Sequence, residues 1–133
     1  MSGATLAAAA ERFVGTPFRL HGRDPARGLD CVGLVAASLA EAGRPVFAPV
    51  GYRLRQVTVE RLLGAAARCG LVGTAGPIEP GDVLLVRPGP AQHHLIVAAG
   101  GGFVHAHAGL GRVVLAPPPL EWPVEHHWRL AAE

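Results

Sequence analysis

The chain has 133 residues, of which half are hydrophobic and 17% are charged. This length and composition favour a globular chain, and we expect residues 1–133 to form a single domain. The formal net charge is only +2, and the twelve basic residues, all of them Arg, are scattered along the chain. We therefore expect no nucleic-acid-binding surface, and no apolar run approaches the roughly 18 residues that a membrane span requires.

The cysteines and the N-terminus indicate where the protein is made. Two cysteines are too few for a disulfide framework, although one bridge between Cys31 and Cys69 is conceivable. The first residues lack a basic segment and reach Glu11 and Arg12 before any long hydrophobic stretch forms. We expect a protein without a signal peptide, made in the cytoplasm with reduced thiols.

The first half of the chain is predicted to be helical. Apolar residues recur at helical spacing in three segments, with Asp30 as the N-cap of the second and Thr58 as the N-cap of the third. A loop rich in Gly, Arg and Pro, residues 18–29, separates the first two segments. The predicted helices cover residues 4–13, 31–42 and 59–68.

From Pro77 onward the pattern changes to short runs typical of β-strands, separated by Pro- and Gly-rich turns. Helices followed by an antiparallel β-meander predict an α+β fold. The predicted strands cover residues 83–87, 95–99, 103–106, 113–116 and 127–130.

Cys31 is the candidate nucleophile. It directly follows Asp30, at the predicted start of the second helix. Backbone N–H groups and the positive end of the helix dipole favour the thiolate there, and the thiolate is the nucleophilic form of cysteine. The alternative is a packed, inert thiol.

Histidines in the second half are candidate partners for Cys31, because a cysteine nucleophile needs an imidazole and a third group that orients it. If the strands that carry His94 and His105 form a hairpin, these residues would lie side by side at its open end. Side chains alternate along a strand, so His93 and His94 face opposite sides and at most one of them points easily at Cys31. His105 and His107 share a face, and a zinc-binding protein is a further alternative.

Five short motifs occur in order and carry a family resemblance. In this order they resemble motifs of the NlpC family of cell-wall cysteine peptidases. The resemblance implies a compact papain-like fold, with the cysteine at a helix N-terminus that packs on the sheet. It is closest to the leaderless versions found in phage, prophage and gene-transfer-agent tail clusters. The motifs are Gly15-Thr16-Pro17-Phe18-Arg19, Asp30-Cys31-Val32-Gly33-Leu34, Pro80-Gly81-Asp82-Val83, His94-Leu95-Ile96-Val97 and Phe103-Val104-His105-Ala106.

The resemblance also implies roles for individual residues. Cys31 would be the nucleophile, His94 the general base and His105 the group that orients the imidazole of His94, with His93 as the second choice of base. Backbone N–H groups at the start of the Cys31 helix would hold the oxyanion. The implied substrate is the peptide stem of peptidoglycan, cut between γ-D-Glu and the diamino acid. No cofactor and no metal are expected.

Basic residues before Cys31 are the candidate substrate-binding groups. Arg19, His21 and Arg23 precede the nucleophile in the predicted loop, where they would bind the carboxylates of a stem peptide. The alternative is an ordinary solvated loop.

Two departures from the family motifs keep a second function open. Val32 replaces the usual Ser, and Phe18 stands where a Tyr often offers its hydroxyl to the thiol. The alternative is a catalytically weak or inactive tail or scaffold component with the same fold. The expected partners are peptidoglycan peptides and phage or gene-transfer-agent tail proteins, and the expected destinations are a phage-like particle or the periplasm.

Overall fold

The computed structural model describes residues 2–44, 46, 59–90 and 92–131. The predicted cap Thr58 lies outside the described residues. The helices are α1, α2 and α3, and the strands are β1 to β8. The helices cover Ser2–Arg12, Cys31–Glu41 and Val59–Arg68; the strands cover Arg23–Asp24, Gly28–Leu29, Leu71–Gly73, Val83–Val86, His94–Ala99, Gly102–His107, Arg112–Ala116 and Val124–Leu130.

The main sheet has six strands in the order β3-β8-β4-β5-β6-β7, and every pair is antiparallel. Strands β4 to β7 form the predicted meander. The last strand departs from it, because β8 returns to the other side of β4 and separates β4 from β3. The α+β class is therefore confirmed, whereas β3 and the return of β8 were not predicted.

The two faces of the sheet carry separate apolar clusters. Leu95 and Val97 face the helices and belong to the main core, which also contains Cys31. Ile96 lies between them in sequence and belongs to a second cluster with Leu84 and Val86. Because side chains alternate along a strand, the second cluster lies on the face turned away from the helices. Phe103, Leu120 and Trp122 pack against this second cluster.

The start of α2 is fixed by Asp30, as predicted. Its buried carboxylate accepts hydrogen bonds from the backbone N–H of Gly33 at 2.8 Å and of His21 at 2.8 Å, and from Arg23 Nη1 at 3.0 Å. The first bond caps the helix, and the other two attach the preceding segment to it. This segment was predicted as a loop but contains the short β1–β2 hairpin.

Glycine is required where the hairpin meets α2. A side chain at Gly33 would overlap the backbone oxygen of Gly22. The absence of a side chain therefore lets the first turn of the helix pack directly on the backbone before β1. This contact fixes the position of the helix N-terminus that carries Cys31.

Candidate active site

Cys31 is the first residue of α2 and is only 6% exposed. It lines a cavity of about 320 Å³ together with residues from the β5 and β6 ends and from the segment before β8. We call this space the cysteine cavity. Its lining residues are Phe18, Cys31, Pro88, Gln92, His93, His94, His105, Ala106, His107, Ala108, Gly109 and Trp122.

Burial controls the protonation of Cys31. Loss of solvent raises the pKa of the thiol to about 11, against the opposing effect of backbone hydrogen bonding at Leu95. The charge of Asp30 raises the pKa further, while backbone hydrogen bonding at Val32 and the charge of Arg23 lower it. The expected thiolate-favouring effect of the helix start is therefore outweighed by burial, and the thiol is protonated at neutral pH.

His94 and His105 lie side by side, as predicted. His94 Nε2 and His105 Nδ1 are 3.0 Å apart, and the rings are nearly perpendicular with centroids 5.1 Å apart. The ring of Trp122 lies edge-on to both, with its centroid 5.8 Å from that of His94 and 5.3 Å from that of His105. The side-by-side position is confirmed, while the catalytic roles of the pair stay predictions.

Both rings of this pair are neutral at pH 7. Burial, followed by the charges of His105 and His107, lowers the pKa of His94 to about 3. Burial and the charge of His107 lower the pKa of His105 to about 4. The pair therefore binds a proton only in acid.

The position of His94 in β5 places it away from Cys31. His94 and Ile96 occupy alternate positions of β5, so their side chains lie on the same face, whereas Leu95 faces the core that contains Cys31. Among the described residues, no hydrogen bond joins the Cys31 thiol to an imidazole. His94 and Cys31 are brought to one cavity but not into contact.

His93 lies just before β5 and makes a different contact. Its Nδ1 is 2.7 Å from Glu125 Oε1, and the two side chains are 22% and 25% exposed. The sequence did not predict Glu125 as a partner of His93, because the two residues are far apart in the chain and Glu125 lies in none of the five motifs. A carboxylate three residues before Trp128 in the last strand gives no local signal of this contact.

The three predicted substrate-binding residues lie outside the lining of the cysteine cavity. The side chains of Arg19 and His21 are exposed. Arg23 is half-buried, and its guanidinium binds Asp30 and the backbone oxygen of Gly22. Arg23 thus helps to hold the start of α2, and the substrate-binding roles stay predictions.

A polar cluster built on Asp82 links β8 to the turn before β4. The buried Asp82 carboxylate binds His127 Nε2 at 2.6 Å and Arg129 Nε at 2.8 Å. Its second oxygen also accepts the backbone N–H of Glu79 at 2.9 Å. The ring of His127 thereby joins β8 to the turn before β4.

Neither a metal centre nor a membrane-spanning helix is found in the described part of the chain. No group of three or more His, Cys, Asp or Glu residues there is arranged to hold a metal ion. No described helix is long and apolar enough to cross a membrane. Cys31 and Cys69 are both buried, and they do not form a disulfide bond with each other.

Comparison with known proteins gives structural relatives. No protein-family model matches the chain, and no curated protein matches it. The NlpC2 structure from Trichomonas vaginalis is 20% identical with a TM-score of 0.69, over 96% of this chain and 46% of that protein. The NlpC/p60 domain of the peptidoglycan hydrolase SagA is 26% identical with a TM-score of 0.59, over 88% and 90% of the two chains.

A third solved structure has a fold similar to that of this chain. The peptidoglycan hydrolase RipB from Mycobacterium tuberculosis is 22% identical with a TM-score of 0.62, over 99% of this chain and 66% of that one. The chain thus spans about half the length of the NlpC2 structure and most of the SagA domain. The closeness to phage and gene-transfer-agent versions stays a prediction. The chain has the papain-like fold of the NlpC/p60 proteins and resembles that family of peptidoglycan hydrolases, as its motifs indicated.

Proposed function

We propose that the chain is a cysteine peptidase that hydrolyses the stem peptides of peptidoglycan, at the bond between γ-D-Glu and the diamino acid. One observation carries this proposal. Cys31, at the N-terminus of α2, lines a single cavity with His93, His94 and His105. A buried thiol next to several imidazoles has the groups that acyl transfer requires, and the solved relatives include peptidoglycan hydrolases.

The reaction begins with transfer of the Cys31 proton to an imidazole in the cavity. The thiolate then attacks the amide carbonyl, and backbone N–H groups at the start of α2 stabilise the oxyanion. The imidazolium gives its proton to the leaving amine, and water hydrolyses the thioester to release the second product. The family resemblance implies His94 as this base with His105 as its orienting partner, and His93 as the second candidate.

The high pKa of Cys31 sets a requirement on this reaction. A thiol with a pKa of about 11 is a poor nucleophile at neutral pH. An imidazolium formed beside it would lower that pKa, because an opposite charge within about 4–6 Å favours the ionised form. The thiol and its base must therefore come together when the substrate fills the cavity.

Digestion of purified peptidoglycan tests the proposed reaction. Wild-type protein is expected to release fragments whose masses show a new γ-D-Glu carboxyl terminus. Cys31→Ala is expected to release none, while Cys69→Ala serves as the matched control because Cys69 is also a buried thiol outside any disulfide but does not line the cavity. Equal fragment release by wild type and Cys31→Ala would refute the proposal.

A second candidate function is a catalytically weak or inactive tail or scaffold component. The observation that favours it is the state of Cys31, which is buried, protonated at neutral pH and without a hydrogen bond to an imidazole among the described residues. Folded wild-type protein that cleaves no peptidoglycan would support this candidate. Phage or gene-transfer-agent tail proteins would then be the partners to test, by co-purification with assembled particles.

A further inference from the structure

We propose that Glu125 is a positioning residue that orients the imidazole of His93 toward Cys31, so that His93 rather than His94 accepts the thiol proton. The inference deepens the proposed function and rests on it. It differs from the assignment based on the motifs in both the base and its orienting partner.

The contact between Glu125 and His93 fixes one tautomer. Glu125 Oε1 lies 2.7 Å from His93 Nδ1. An ionised carboxylate only accepts hydrogen bonds, so Nδ1 must carry the hydrogen. In the neutral ring Nε2 is then unprotonated, which is the form that accepts a proton from a nucleophile.

His93 directly precedes the part of β5 that packs on the core of Cys31. Leu95 and Val97 face the core that contains Cys31, and backbone hydrogen bonding at Leu95 acts on the thiol. His93 lies directly before β5, two residues before Leu95, and it lines the same cavity as Cys31. His94 is shifted by one residue and lies with Ile96 on the other face.

A bulge in β8 presents Glu125 to His93. The pairing of β4 with β8 shifts register between Leu85, which pairs with His126, and Val86, which pairs with Val124. Glu125 is therefore the extra residue of β8 at this point. Bulges re-aim side chains and are frequent next to active sites, and here the displaced carboxylate meets the imidazole at the start of β5.

The His94–His105 pair is less suited to proton transfer. One nitrogen of each ring is hydrogen-bonded to the other ring. Among the described residues, no carboxylate forms a hydrogen bond with either ring. The low pKa values of about 3 and 4 disfavour the imidazolium that must protonate the leaving amine. The pair and His107 instead form the polar wall of the cavity that His93 also lines.

The tautomer of His93 in the wild-type protein tests the inference without any substrate. Nitrogen-15 NMR of the folded protein at a pH where the ring is neutral is expected to show His93 protonated at Nδ1. A neutral His93 protonated at Nε2 would overturn the proposal. This measurement does not depend on whether the protein hydrolyses peptidoglycan, so failure of the inference is distinguishable from failure of the proposed function.

Substitution of Glu125 tests its effect on catalysis. Glu125→Gln is expected to lower kcat for stem-peptide hydrolysis by more than about 10-fold, with KM within about twofold, because a carboxylate that orients a catalytic histidine holds its tautomer and stabilises its imidazolium. Glu125→Asp, which keeps the carboxylate, should recover part of the loss. The matched control is Glu121→Gln, since Glu121 is exposed and outside the cysteine cavity.

The substitutions can also contradict the inference. A folded Glu125→Gln variant with wild-type kcat would do so, as would a larger loss of kcat in His105→Gln than in Glu125→Gln. If Glu125→Gln does not fold, the inference is tested by the NMR measurement of the His93 tautomer in the wild-type protein. If the wild type hydrolyses no stem peptide, the proposed function fails, and the tautomer alone reports on the positioning by Glu125.

Discussion

Removal of the Asp30 carboxylate should be among the most damaging single changes near the candidate site. Asp30 is fully buried and holds three donors: the backbone N–H groups of Gly33 and His21 and the guanidinium of Arg23. Asp30→Ala removes the cap of α2 and also releases the hairpin that precedes it. We therefore expect both lower stability and a less well-defined position of Cys31.

The magnitude follows from these three contacts. Loss of an N-cap costs about 1 kcal/mol of unfolding free energy. Leaving the His21 N–H without its acceptor costs about 1–3 kcal/mol. The Arg23 side chain is 31% exposed, so water can solvate its guanidinium when the carboxylate is removed. Loss of the Arg23–Asp30 ion pair therefore adds about 0–1 kcal/mol. Together these contributions predict that Asp30→Ala lowers the free energy of unfolding by about 2–5 kcal/mol, a large share of the roughly 5–15 kcal/mol of a typical domain.

Urea denaturation followed by tryptophan fluorescence measures this loss. Asp24→Ala is the control, because Asp24 is exposed and accepts one local hydrogen bond from the Ala26 N–H at 3.0 Å. It should change the free energy of unfolding by less than about 0.5 kcal/mol. A loss below about 1 kcal/mol in Asp30→Ala, with an unchanged denaturant slope, would refute the reasoning about the cap.

Three further changes have defined outcomes. The folded pKa values of His94 and His105, about 3 and 4, lie below the ordinary value of about 6.5, so the unfolded chain binds protons first as the pH falls. The stability of the fold is therefore full well above pH 6.5, and urea titrations should show a loss of about 2–3 kcal/mol between pH 7 and pH 5.5. Phe18→Tyr, which places a hydroxyl in the cavity of Cys31, should raise the initial rate of stem-peptide hydrolysis by roughly 2- to 10-fold, the effect of one hydrogen bond. Gly33→Ala should lower the free energy of unfolding by about 1–3 kcal/mol, because its methyl group overlaps neighbouring backbone.

Each of these outcomes has a control or a contradicting result. His105→Gln should flatten the acid dependence, and equal stability of the wild type at pH 7 and 5.5 would contradict the assignment. An unchanged rate in Phe18→Tyr would place the new hydroxyl out of reach of the thiol. Gly64→Ala is the control for Gly33→Ala, because a Cβ at this exposed position in α3 meets nothing and should stabilise the helix by about 0.5–1 kcal/mol.

Much of the fold could be predicted because its signals are local. Asp30 caps α2 as predicted, the helix over residues 59–68 has the predicted bounds, and the strands of the meander agree to within about two residues at most ends. The return of β8 to pair with β4 has no local signal, because strand order depends on packing between distant segments. The β1–β2 hairpin was missed for a related reason: it has only two residues a strand and is held by the buried Asp30.

The candidate site was predicted in its composition more than in its geometry. The position of His94 beside His105 was predicted correctly, since it depends only on the turn between their strands and on the alternation of side chains. The pKa of Cys31 was expected to fall because the helix start is visible in the sequence, whereas the degree of burial that raises it is not. The contact of Glu125 depends on a bulge, which comes from the pairing of two strands rather than from either sequence alone.

Trapping of the acyl-enzyme tests the central claim, that Cys31 is the nucleophile, most directly. A synthetic stem peptide with a γ-D-Glu–diamino acid bond is mixed with the protein, the reaction is quenched in acid, and the intact and digested protein are weighed by mass spectrometry. The account predicts an adduct with the mass of the acyl fragment, mapped to the peptide that contains Cys31 and absent from Cys31→Ala. Hydrolysis that continues in Cys31→Ala, or an adduct mapped to another residue, would contradict it.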